Sequence, residues 1–109
     1  MNRTMLAVAA LAAGLSGAAC AADVEAGRRI GEAQCAACHG KDGKTPIDPS
    51  YPKLAGQYPD YLAKALLDYQ TGARKNAIMG GIAKPLSKKD MQDLAAYYAS
   101  LPGPLTHRK

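Results

Sequence analysis

Six consecutive residues, Cys35-Ala36-Ala37-Cys38-His39-Gly40, hold the most reactive chemistry of this 109-residue chain. Two thiols three positions apart, with an imidazole directly after the second, suit four kinds of site. A structural zinc site needs four ligands, usually from a second Cys or His pair, and the only other histidine is His107, in the tail. A thioredoxin-like dithiol belongs to a βαβ setting and leaves His39 without a role. A disulfide across so short a loop removes little chain entropy. Covalent haem attachment uses all three groups. C-x-x-C-H is the signature of c-type haem, in which the thiols of Cys35 and Cys38 add across the vinyl groups as thioethers and His39 supplies an iron ligand.

Iron held by His39 has a second axial position. Of four methionines, Met1 and Met5 fall in the N-terminal leader described below. Met91 lies in a helical pattern, where a thioether serves as core filler. Met79 lies in "RKNAIMGGIAKPLS", read as a loop in which Gly80 and Gly81 turn the backbone tightly while a side chain points inward. Met79 is the expected sixth ligand, with Met91, a lysine or His107 as rivals. A thioether ligand raises the potential relative to a second histidine and favours electron transfer over gas or peroxide chemistry.

The chain that must position these residues is small. Residues 1–22, "MNRTMLAVAALAAGLSGAACAA", run from one Arg through an Ala/Leu stretch to small residues, the layout of a secretory leader. The expected cut follows Ala21 or Ala22, with an uncleaved anchor or lipidation of Cys20 as the rivals. Residues 23–109 then form one domain whose core is marginal on burial alone, and domains of this size usually carry a staple such as a disulfide, a metal or a buried cofactor. Phe and Trp are absent, so bulk aromatic volume comes from six tyrosines or from a prosthetic group. Fourteen Lys and Arg against nine Asp and Glu give a net charge of +5. The basic residues are spread out, and no run of like charge reads as a nucleic-acid arm.

Three helices are legible. Val24 to Gln34 carries Glu25 in its first turn, and Val24, Gly27, Ile30 and Gly31 share one face. The two glycines there imply close approach by another helix or a ring. Pro59 to Thr71 begins with proline at the first helical position, ends before Gly72, and turns Leu62, Ala65, Leu66 and Tyr69 inward. The last begins at Ser87 with Asp90 three residues on, a capping box, and continues through Met91, Leu94, Ala95 and Tyr98 until Pro102. The Gly-, Pro- and Asp-rich stretch between the first two has no strand alternation. The reading is all-α, with long loops wrapped around a cofactor.

"AGRRIGEAQCAACHGKDG", "YPKLAGQYPDYLAKAL", "TGARKNAIMGGIAKPLS" and "DLAAYYASL" together resemble bacterial monohaem class I cytochromes c, and in particular one half of a dihaem cytochrome of the c-four type. The likeness covers residues 23–102. It implies three to five helices around one haem, the first and last crossing where Gly27 meets Leu94. Many class I members carry an aromatic one turn after that glycine; here Gly31 stands there, leaving Tyr97 to pack on bare backbone. The resemblance also implies that a proline carbonyl, of Pro49 or Pro52, holds the free ring nitrogen of His39. It places Leu54 and Ile82 on the haem face, and Gln57, Arg74 and Asn76 near the propionates or the methionine segment.

The functional expectation is a periplasmic electron carrier, not an enzyme, that shuttles single electrons between respiratory partners as a monomer or weak dimer. Lys41, Lys44, Lys84 and Lys88 are expected to ring the docking edge and meet acidic partner proteins. The rivals are a haem-bearing subunit of a larger oxidoreductase, and an open-site sensor or peroxidase-like protein. The latter would need a distal His/Arg pair or a signalling domain, neither of which the sequence offers.

Overall fold

The computed structural model describes residues 21–105. Cys20, most of the leader and His107 lie outside that range. The described residues form five helices and no strand: α1 (Val24–Gln34), α2 (Ala36–His39), α3 (Pro59–Thr71), α4 (Ala77–Ala83) and α5 (Lys88–Ser100).

Local chemistry sets the ends of these elements. The Asp23 side chain caps α1 by accepting from the Ala26 amide. Pro59 opens α3, and Gly72, in the left-handed region at φ 89°, closes it where only glycine sits without penalty. The Ser87–Asp90 capping box forms in both directions at α5. Two short helices were not among those legible in the sequence. One is α2, a single turn carrying Cys38 and His39. The other is α4, which replaces the tight loop expected around Met79. Gly80 and Gly81 are helical there and neither has a positive φ. The helix starts because Asn76 accepts from the amides of both Ile78 and Met79, each at 3.0 Å, offsetting the low propensity of two glycines.

α1 crosses α5, and α5 also packs on α3, which carries α4. The crossing depends on Gly27. A Cβ there would collide with the Asp93 carbonyl group and lie 2.9 Å from the Tyr97 Cβ. The nearest neighbours of Gly27 are therefore the α5 backbone at Asp93 and the base of Tyr97. One turn on, Gly31 receives the phenol of Tyr98 rather than Tyr97: a Cβ at Gly31 would lie 2.9 Å from its hydroxyl oxygen. Tyr97 and Tyr98 meet edge to face, with centroids 4.9 Å apart. Asp93, Tyr97 and Tyr98 are thus the α5 residues nearest the two glycines of α1, where the sequence pointed to Leu94 and Tyr97.

The core is Leu62, Ala83, Leu86, Met91, Leu94, Ala95, Tyr97 and Tyr98. A buried carboxylate joins its edge. Asp93 is 3% exposed, accepts from the Asp23 amide at 2.8 Å, and pairs with Lys89 at 2.8 Å. These bonds tie the start of α1 to the middle of α5.

Residues 40–58 form no regular element and are held by short-range bonds. Asp42 accepts from the amides of Lys44 and Thr45. The Gly43 carbonyl accepts from Leu54 and Ala55, and the Ile47 amide donates to the Cys38 carbonyl. Gly40 has φ 89° with Thr45 backbone against its α-carbon, so no side chain fits at the position after His39.

Candidate haem site

A cavity of about 590 Å³ opens beside α2 and is walled by α3, α4, α5 and the 50–57 loop. That size falls within the roughly 300–1,000 Å³ of small-molecule and cofactor sites. Cys35, Cys38, His39, Leu54, Gln57, Arg74, Asn76, Met79 and Ile82 all line it. These residues come from three separate stretches of the chain, 35–39, 54–57 and 74–82, and one cavity gathers every one of them.

His39 is buried, and its Nδ1 lies 2.9 Å from the Pro52 carbonyl oxygen. A carbonyl can only accept, so Nδ1 carries the proton and Nε2 is left with its lone pair for a metal. Of the two prolines expected for this role, the structure selects Pro52. The 50–57 loop presents that carbonyl because Gly43 anchors Leu54 and Ala55. Tyr51 stands beside His39, with ring centroids 6.3 Å apart.

Cys35 and Cys38 are not cross-linked to each other. Burial pushes the Cys35 thiol above its ordinary value of 9.0; the neighbouring Tyr98 hydroxyl offsets part of this, and the Cys38 charge adds to it. Burial likewise pushes the Tyr98 phenol upward, with Cys35 as the next contributor.

The two methionines of the domain separate clearly. Met79 lines the cavity, whereas Met91 is 4% exposed in the core and does not. Asn76 meets the cavity and caps α4 through Oδ1. Arg74 lies over the Tyr69 ring, 5.0 Å from its centroid, and donates weakly to the Tyr61 hydroxyl at 3.4 Å.

Tyr51, Lys53 and Tyr61 also line the cavity without having been expected there, and Tyr69 and Tyr98, expected only as inward helical positions, join them. Tyr61, Ala65 and Tyr69 follow one another at four-residue spacing beside Leu62 and Leu66. That pattern marks them as one face of α3, and it was the available signal. Among the described residues, the lining contains no Asp or Glu.

None of the four lysines expected around the docking edge lines the cavity itself. Lys41 and Lys44 lie on the 40–45 turn, and neither they nor Lys84 and Lys88 line it; the cationic residues that do are Lys53 and Arg74. Lys84 instead joins Arg74 and Lys75 around a shallower cleft of about 410 Å³ where the end of α3 meets α4. Ile78 and Tyr61, both cavity-lining, are 57% and 49% exposed, so the mouth has an apolar rim beside these cations.

The residues present fit a haem covalently held by two thioethers. There are two thiols at C-x-x-C spacing, a buried imidazole with one nitrogen free, and a cavity with an apolar and aromatic wall of the right order of size. Comparison with known proteins agrees. The cytochrome c family model matches residues 24–102. Cytochrome c4 of Pseudomonas aeruginosa is 43% identical over 100 residues, covering 92% of this chain and 49% of that protein. Cytochrome c-554(548) of Halomonas halodenitrificans is 44% identical over 84 residues, covering 73% of this chain and 98% of that protein. The structure of Acidithiobacillus ferrooxidans cytochrome c4 superposes with a TM-score of 0.67 at 34% identity, covering 73% of this chain and half of that one. The chain spans about half the length of the cytochromes c4 it matches. It belongs to the cytochrome c family, with the class I fold and a covalently bound haem c.

Proposed function

We propose that this chain is a periplasmic single-electron carrier whose haem iron is held between His39 and Met79. The observation that carries the reading is the convergence of Cys35, Cys38, His39 and Met79 on one cavity, with Met91 sequestered elsewhere. When bound, haem c supplies reversible one-electron chemistry at its iron. Cys35 and Cys38 hold the group covalently. The Pro52 carbonyl fixes the tautomer and ring orientation of His39, which raises its basicity as a ligand. Asn76 fixes the start of α4 and so the position of Met79. Leu54, Ile82 and the α3 face exclude water. Gln57, Arg74 and Asn76 supply polar groups for the carboxylates of the cofactor.

The apolar rim of Ile78 and Tyr61, flanked by Arg74, Lys75 and Lys84, is the docking edge in this reading. It suits an acidic redox partner that associates quickly and releases easily. Residues 1–22 act as the export leader.

Absorption spectra of the purified protein, oxidised and reduced, test the axial ligands. The expected result is the weak sulfur-to-iron band in the oxidised form, no carbon monoxide binding in the reduced form, and loss of the band in Met79→Ala. A spectrum without that band, together with rapid carbon monoxide binding by the unaltered protein, overturns the Met79 assignment and favours an open-site protein.

A further inference from the structure

α4 cannot stand by itself. It has seven residues, two of them glycine, and isolated helices of this length do not persist in water. Asn76 secures its first turn. Its last turn is secured from another element. The Gln70 side chain, on α3, donates to the carbonyls of Ala83 at 3.0 Å and Leu86 at 2.7 Å, with a longer contact of 3.3 Å to the Lys84 carbonyl. An amide nitrogen has two protons, so the Ala83 and Leu86 bonds are the principal pair and Lys84 shares one of them. The acceptors matter because Ala83 is fully buried and Leu86 is 7% exposed. Carbonyls at a helix end have no partner within the helix; the Ala83 carbonyl also accepts from the Leu86 amide at 3.0 Å in the turn that follows, and Gln70 is the bond that ties it and the Leu86 carbonyl to another element.

We infer that Gln70 is a positioning residue for Met79: it clamps the C-terminal end of α4 to α3 and so holds the thioether in the cavity. The inference rests on Met79 as the axial ligand. It adds a control point on a different helix from the ligand and far in sequence from the haem-attachment motif. Gln70 itself does not line the cavity, so it acts only through α4.

The test is the pH at which the sulfur-to-iron band of the oxidised holoprotein disappears as alkaline conditions displace the ligand. In Gln70→Leu, which keeps the bulk and removes the donor, the open form of α4 is expected to rise roughly tenfold or more. The midpoint then falls by about one pH unit or more, because a tenfold change in an equilibrium is one unit of pH. Amide exchange in α4 should accelerate with it. Asp23→Ala, which removes the α1 cap and lowers global stability away from the site, serves as the comparison and should leave the midpoint near its original value. If Gln70→Leu does not accumulate as holoprotein, Gln70→Glu, which lacks the amide protons, is read in the same way. An unchanged midpoint in the Gln70 variant, or an equal fall in Asp23→Ala, overturns the inference. A parent protein without the band refutes the Met79 reading instead, so the two failures are distinguishable.

Discussion

Replacing Gly27 by alanine tests the helix crossing on which the domain is built. A Cβ at residue 27 would lie 2.5 Å from the Asp93 carbonyl carbon and 2.9 Å from the Tyr97 Cβ. Carbon atoms in contact sit about 3.5–4.0 Å apart, so α1 and α5 must separate locally by roughly 1 Å. The obstacle is backbone and cannot rotate away. Overpacking of this kind costs about 1–3 kcal/mol, here toward the upper end. Alanine returns about 1 kcal/mol through better helix propensity. The expected net loss of about 2 kcal/mol lowers the melting temperature by roughly 8–16 °C for a domain of this size. Thermal unfolding of the holoprotein followed by far-ultraviolet circular dichroism measures it. Two companions calibrate the result. Gly31→Ala meets the far end of Tyr98, which can shift, and should lose less. Gly81→Ala meets no atom within 4 Å and should be neutral or gain up to about 1 kcal/mol. If Gly27→Ala melts at or above the parent temperature, the close approach of α1 and α5 is not what requires glycine there.

Three further outcomes follow from the same contacts. Burial pushes the Asp93 carboxyl upward, but the Asp23 amide and the Lys89 ammonium outweigh this and hold it below the ordinary 3.8. A lowered folded value means that its stabilisation is present above the unfolded pKa and is lost as pH falls through the folded one. Asp93→Asn should therefore cost about 1–3 kcal/mol at neutral pH, a gap that closes below pH 3.8; denaturant unfolding at several pH values would expose a gap that stays constant. Asn76→Ala removes the acceptor for two α4 amides and should cost about 1 kcal/mol, seen as faster amide exchange in α4 while α1 is unaffected; equal acceleration in both helices contradicts a local cap. Lys75→Gln with Lys84→Gln should slow association with an acidic redox partner and flatten its salt dependence, whereas Lys41→Gln with Lys44→Gln should change both much less; stopped-flow rates against ionic strength decide between the two lysine pairs.

The sequence alone determined whatever depends on neighbours within one or two turns. C-x-x-C-H defines its chemistry by spacing. Pro59 and Gly72 mark α3 because ring geometry and a left-handed φ are properties of single residues. Ser87 and Asp90 mark α5 because a capping box spans only three residues. Met79 and Met91 were separable because one lies in a strong amphipathic repeat and the other beside a glycine pair. That glycine pair also misled: low helix propensity read as a loop, yet Asn76 at one end and Gln70 at the other recover a helix. Only the tertiary structure decided which proline faces His39, because Pro49 and Pro52 are equivalent in composition and differ only in how Gly43 anchors the loop between them and α3. It likewise decided that Asp93, Tyr97 and Tyr98 meet α1. Helical periodicity gives a face about a hundred degrees wide, and the crossing angle that selects residues within that face is a property of two helices together. The clamp from Gln70 spans thirteen to sixteen residues and has no local signature, since a glutamine on a half-buried face becomes specific only when the carbonyls of another element are brought to it.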